Sequence, residues 1–297
     1  MTGLSQPNTP ESDTVQLAKV WTSMRNLFGL FMTSLTGLFA VIAVIPLAAI
    51  IINVAAQGLP LINFDLFTKL PPPPGLSGGG LGNAIVGTLI VLAIAVVISV
   101  PIGVLGAVWL SEFGRGTKIA YWVRFSANVL SGVPAIIAGL FSYTIIVMTM
   151  GSFSAFAGGV ALAVVMLPIV MRTAEEGLVL VPEDVRLAAF GLGATRFEVV
   201  SRVVLPAALP SIATAVTLAV ARAGGEAAPL LFTALNNNFW STDLFRPIAT
   251  LSVQVYFFAI IPYKPQQDLA WAGALVLLAI ILFVSITSRV LTRKRVY

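Results

Sequence analysis

RTAEEGLVLVPEDVRLAAFGLGATRFEVVSRVVLPAALPSI, Arg172 to Ile212, is the only long polar interval between two membrane-length apolar runs that also carries a pattern. Its charges are Arg172, Glu175, Glu176, Glu183, Asp184, Arg186, Arg196, Glu198 and Arg202. A disordered tail would lack apolar rhythm. Here Val185, Ala188, Ala189 and Leu192 recur at spacings of three and four, and so do Phe197, Val200, Val203 and Val204. That spacing draws an apolar stripe along each of two helices. Gly191 and Gly193 separate the halves, and Pro206 and Pro210 close the stretch. The expectation is helix, sharp glycine break, helix, lying outside the bilayer and presenting a short exposed helix to another protein.

Outward from this stretch the chain is apolar. Of 297 residues 58% are hydrophobic and 10% charged, with a mean hydropathy of +0.98. Soluble domains carry roughly 25% charged residues, so the chain belongs in a membrane, and no large soluble domain fits between its apolar runs. It has no Cys and no His, which excludes disulfides, thiolate chemistry and His-based metal sites and removes the commonest general base. Gly78-Gly79-Gly80 lacks a following Lys-Ser/Thr, and no Gly-Lys dipeptide occurs anywhere. There is no phosphate-cradling Walker loop, so any ATP, with its Mg, would be handled by a partner, and no cofactor is expected in this chain. The net charge of +5 would suggest nucleic acid in a soluble protein. Here the basic residues flank apolar runs, so membrane lipid is the expected contact and nucleic acid is not.

Six apolar runs read as spans: 27–56, 83–110, 130–150 interrupted by Pro134, 153–170, 207–233 and 269–290. About 20 residues suffice to cross. Met1 to Val20 reads as a polar tail, too long and acidic to head a signal peptide. Residues 57–80, with Pro71 to Pro74 and three glycines, read as an extended, flexible loop. Residues 119–129 are amphipathic and suit the interface. Residues 234–268 read as amphipathic or partly inserted. Lys19, Arg25, Arg115, Lys118, Arg124, the patterned stretch and Arg289 to Arg295 put most basic charge on one side, against Lys69, Arg246 and Lys264 on the other. The basic side faces the cytoplasm. This expects a cytoplasmic tail at 1–26, one transmembrane domain at 27–292 with a cytoplasmic loop at about 173–206 between spans four and five, and a cytoplasmic end at 293–297.

The chemically loaded span contains Arg222 and Glu226, four apart and so on one helix face. A lone Arg at bilayer depth costs roughly 2.5–3.5 kcal/mol on insertion scales. Pairing lowers that cost, and Gly224, Gly225 and Pro229 predict a kink near Glu226. Two readings stand: a charged pair lining a translocation path, or a salt bridge that fixes helix packing. Arg172, with Glu175 and Glu176 at i+3 and i+4, is either a substrate contact or a snorkelling anchor.

Two resemblances sharpen this. Ala188-Ala189, Gly193 and the closing Leu205-Pro206 resemble the Glu-Ala-Ala loop of ABC importer permeases, with Leu187 standing where that pattern has Glu. The loop implies docking into a groove on an ATPase subunit through Leu187, Ala188, Ala189, Gly193, Leu205 and Pro206. GGGLGNAIVGT (78–88), PIVMRTAEE (168–176), ARAGGEAAPLLFTAL (221–235) and FWSTDLFRPIATL (239–251) resemble the PstA-type permeases of bacterial phosphate-specific ABC importers. That resemblance implies an all-α type I importer fold of six transmembrane helices in the bacterial inner membrane. It implies a transport subunit rather than an enzyme, with Arg222 and Arg172 along the path of inorganic phosphate; Glu226 joins them as the carboxylate of the charged pair. The implied partners are a homologous PstC-type permease, an ATPase dimer and a periplasmic phosphate-binding protein. An ion-coupled secondary anion transporter or channel would explain the buried charge without an ATPase, but would leave the patterned hairpin without a role.

Overall fold

The structure is a computed structural model that describes residues 24–293. The expected tail Met1 to Val20 and the basic Lys294 and Arg295 lie outside the described residues, as do the side chains of Arg25 and of residues 291–293. The chain falls into two units, residues 1–52 and 53–297. The first contributes most of α1 (Met24–Gly58), an apolar helix of 35 residues whose large side chains, Phe28 to Ile52, are exposed. At 1.5 Å per residue that is about 52 Å, more than the ~30 Å of hydrocarbon it would cross.

The second unit contains helices and connecting loops, with no strand among its described residues. It contains α2 (Gly82–Phe113), α3 (Lys118–Gly132), α4 (Ala135–Met150), α5 (Ala155–Val179), α6 (Glu183–Gly191), α7 (Arg196–Gly224), α8 (Leu251–Ile260) and α9 (Lys264–Arg293). Starts are set by side-chain caps: Thr117 accepts from the Ala120 N–H and Ser154 from the Ala157 N–H. α5 is the central helix, packed most extensively against α2 and next against α7. Lipid tails are as apolar as Leu, so close contact rather than exclusion from water holds such helices together. Ala95, Ala161, Ala174, Ala215 and Ala219, all fully buried, supply that contact. At Gly177 any Cβ would run into Ser211 of α7.

Among the described residues five helices are long and apolar enough to span, or six when α3 and α4 count as one bent span. The bend is 104°, at Val133-Pro134. Pro134 has no N–H to continue α3, and it pushes Val133 into an extended conformation (φ −72°, ψ 130°). The interfacial helix and the third span expected separately are therefore the two arms of one broken element.

Three further expectations need correction, and the stretch 234–268, expected as amphipathic or partly inserted, gains detail. The fourth span does not stop at Val170: no breaker lies between Pro168 and Pro182, and α5 runs on to Val179, carrying Arg172, Glu175 and Glu176 on its last turns. The second hairpin helix is not separate. It continues into the fifth span as α7, because a π turn at Val200–Val204 precedes Pro206 and removes the clash its ring would make with an α-helical carbonyl. Residues 234–268 are largely non-helical, with the short apolar helix α8 and the first turn of α9. The loop at 57–80 is pinned rather than free: the Gly80 N–H bonds the Leu70 carbonyl at 2.9 Å and the Gln266 amide bonds the Pro73 carbonyl at 2.9 Å.

Candidate coupling surface and charged path

α6 is nine residues long, and Arg186 is its one buried residue. Ala189 is half-buried, while Val185, Leu187, Ala188 and Phe190 are exposed. Leu192 and Phe197, flanking the turn, are 89% and 72% exposed. The apolar stripe read on α6 thus faces largely away from this chain, whereas Val200 and Val204 of the second stripe are buried. The turn itself is a Schellman motif: the Gly193 N–H bonds the Phe190 carbonyl at 2.9 Å and the Ala194 N–H bonds the Ala189 carbonyl at 3.2 Å. It requires a left-handed residue, and Gly193 has φ +84°. Thr195 then opens α7 with a reciprocal capping box to Glu198. Leu205 is half-buried and Pro206 exposed, both within the continuous α7 rather than at the hairpin tip.

Arginines fasten this end of the helices, and two of them, Arg186 and Arg124, were not singled out as anchors in the sequence. The Arg186 guanidinium donates to Glu112 Oε1 at 2.9 Å, to the Leu178 carbonyl at 2.9 Å and to the Val181 carbonyl. Arg124 donates to Glu175 Oε1 at 2.6 Å and to the Leu110 carbonyl at 2.9 Å. Arg172 donates to Glu175 Oε2 at 2.8 Å, so Glu175 is clasped from both sides. The first of these pairings spans 74 positions, and local spacing gives no sign of it.

Arg222 and Glu226 differ from these pairs. α7 ends at Gly224, and Glu226 lies in the break before the short helix Ala228–Leu231, where Pro229 sits in the first turn. The expected shared helix face is lost and the expected kink becomes a full break. The closest approach is 3.9 Å from Arg222 Nε to Glu226 Oε1, too long for a hydrogen bond, with the Arg222 side chain 51% exposed. Arg222 is the only charged residue lining a cavity of about 230 Å³, whose other walls come from the α3–α4 bend (Leu130, Val133, Ala138) and from α5 (Val164, Val165, Ile169). Val165, Ile169 and Arg172 lie at i, i+4 and i+7, on one half-exposed face of α5. Arg172 therefore sits one turn from the cavity wall, towards the hairpin. Among the described residues no cluster of three or more Asp or Glu could hold a metal ion.

Residues 99–297 match the family described as binding-protein-dependent transport system inner membrane component. The phosphate transport system permease protein PstA of Yersinia pestis is 41% identical over 93% of both chains. The protein of that name from Xylella fastidiosa strain 9a5c is 47% identical over 80% of this chain and 82% of its own. Among solved structures, a bacterial alginate ABC transporter superposes with a TM-score of 0.60 at 16% identity, covering 92% of this chain and 98% of that one. The inward-facing MetNI methionine ABC transporter gives 0.57 at 21% identity, over 73% and 95%. The two structures share the fold, while the family match and the PstA relatives carry the relationship. The chain belongs to the binding-protein-dependent inner-membrane transport components, as one of their PstA-type permeases.

Proposed function

We propose that this chain forms half of the translocation path for inorganic phosphate in an ATP-driven importer. A homologous PstC-type permease supplies the other half. An ATPase dimer, which binds the ATP and Mg, docks on the exposed face of α6 and the Gly193 turn, and a periplasmic phosphate-binding protein delivers substrate at the opposite end. Residues 27–292 are the permease domain, the hairpin and both flanking ends are cytoplasmic, and no nucleotide site resides in this chain. The observation that carries the path is the looseness of the Arg222–Glu226 pair at a cavity. A packing salt bridge would be buried and hydrogen-bonded, as those at Glu112 and Glu175 are. A half-exposed pair at 3.9 Å is worth about 0–1 kcal/mol, which does not offset the roughly 2.5–3.5 kcal/mol of placing Arg in hydrocarbon. Arg222 is therefore available to an anion, and its planar fork suits phosphate oxygens. Glu226 is the resting counter-charge that arriving phosphate displaces, and Arg172 is the next guanidinium along the same half-exposed face. The names of the PstA relatives support phosphate as the cargo.

The test is Arg222→Gln in the assembled importer. The substitution keeps size and some donors but removes the charge. Since a hydrogen bond to a charged group is worth about 1.5–3 kcal/mol, phosphate uptake should fall at least about tenfold with near-normal protein level. Uptake at the unmodified rate would refute the path.

A further inference from the structure

α2 ends in a π turn, Trp109–Phe113, which leaves carbonyls at the negative end of a long helix without α-helical partners. Three successive carbonyls there are each taken by an arginine: Leu110 by Arg124, Ser111 by Arg115 and Glu112 by Arg196. Glu112 is held twice. Its carbonyl accepts from Arg196, at the start of α7, and its carboxylate accepts from Arg186 of α6 at 2.9 Å. One residue at the end of α2 is thus gripped by both arms of the hairpin. The Arg196 guanidinium also lies over the Phe113 ring, 5.1 Å from its centroid. On α6 nothing else is buried, and Arg186 reaches the last carbonyls of α5 with the same guanidinium.

The pair is nearly inaccessible, with 5% and 9% of the two side chains exposed. A buried ion pair is seldom more stabilising than well-packed apolar residues of the same volume, and its best-attested use is to fix one arrangement. An apolar contact at this place would let α6 slide, whereas a fork on one carboxylate and two carbonyls fixes its register. We propose that Glu112 is the positioning residue that fastens both arms of the hairpin to the end of α2. Displacement of α6 by its partner is then delivered to α2 and α5 as one movement. Arg124, bonded to both Leu110 and Glu175, carries the connection on to Arg172. This rests on the transport role proposed above and names how that role is mechanically linked to the hairpin.

The experiment uses the full importer in proteoliposomes, with phosphate uptake and ATP hydrolysis measured on the same vesicles. Glu112→Gln should lower phosphate moved per ATP at least about fivefold, the low end of coupling between distant sites, while ATP hydrolysis is retained. Glu112→Asp should recover part of the ratio. Because Glu112→Gln leaves Arg186 buried without a counter-charge, the double variant Glu112→Gln/Arg186→Met is made as well. It should assemble as the unmodified protein does and still couple poorly. A double variant that couples normally overturns the proposal, as does a loss of both rates in step with assembled complex. A nitroxide at Leu192 in the purified complex supplies a readout independent of transport, and its spectrum should narrow in Glu112→Gln. Unchanged label mobility overturns the clamp. Increased mobility in a complex that moves no phosphate on ATP upholds the clamp and refutes the transport role instead.

Discussion

Glu112, Glu175 and Glu226 each face an arginine of the helical body, and they hold it with different strength. Glu112 and Glu175 are buried and accept short bonds, whereas Glu226 is more open and stands 3.9 Å from its partner. Removing charge from each should therefore read out differently. Glu175→Gln leaves Arg124 and Arg172 sharing no carboxylate; because both are about a third exposed, the loss should be about 1–3 kcal/mol, below the ~3–5 kcal/mol of a fully buried pair. That loss would appear as a lower thermal midpoint of the purified subunit. Glu226→Gln should leave the midpoint within about 1 kcal/mol and instead slow phosphate uptake. Combined with Arg222→Gln it should add no further loss, since the second change removes the charge that the first left unbalanced. Full additivity of the two losses would show that Glu226 does not act through Arg222. Arg222 and Arg172 were legible in the sequence because a charge inside or beside an apolar run stands out. The Glu112–Arg186 pair and the second partner of Glu175, Arg124, were not, because they lie 74 and 51 positions apart, a separation set by helix packing alone.

The hairpin shows how much of an element is written locally. Val185 to Leu192 and the two glycines predicted a helix and a stop, and α6 with its Schellman turn has that form. The second half was misjudged because proline spacing says nothing of a π turn one residue upstream that absorbs it. Likewise the end of span four was placed too early, because charge was taken to mean solvent where Arg172 and Glu175 neutralise one another on α5. The turn makes a conformational prediction. A Cβ at Gly193 would meet no atom within 4 Å, so only its φ of +84° restricts substitution. Gly193→Asn, a residue that tolerates the left-handed region, should keep thermal stability and ATPase copurification, and Gly193→Val should lose at least about 1–2 kcal/mol. Leu192→Glu separates docking from folding. The side chain is 89% exposed, so stability should hold while the ATPase no longer copurifies in detergent. Normal copurification would remove α6 and its turn as the docking face.

At the scale of the molecule the question is whether α3 and α4 cross together or turn back, because five spans and six spans put the chain's ends differently. The contacts of the second unit decide it. Arg186, just beyond α5, bonds Glu112 at the end of α2, so the chain leaves Glu112 and returns to the same end of the helices. α5, with 25 residues, is about 37 Å long and crosses once, so the bent pair before it must cross once as well. The opposite end agrees: the Ala155 N–H at the start of α5 bonds the Arg246 carbonyl beyond α7, and Asn83 at the start of α2 bonds the Asn237 carbonyl. α9 starts at that end too, with the Gln266 amide on the Pro73 carbonyl, and so returns to the hairpin end. The C-terminal end of α9 therefore shares a side with the hairpin whatever the absolute orientation, a conclusion that charge counting alone could not reach. The orientation proposed above takes that side as the cytoplasm, on its excess of basic residues. A reporter fused after Tyr297 should read cytoplasmic and one inserted near Gly78 periplasmic, with an accessibility tag at Leu192 agreeing with Tyr297. A tag at Leu192 on the opposite side from Tyr297 would contradict the crossing of α3 and α4. Agreement between the two with both facing the periplasm would leave the helical arrangement standing and remove the hairpin from reach of any cytoplasmic ATPase.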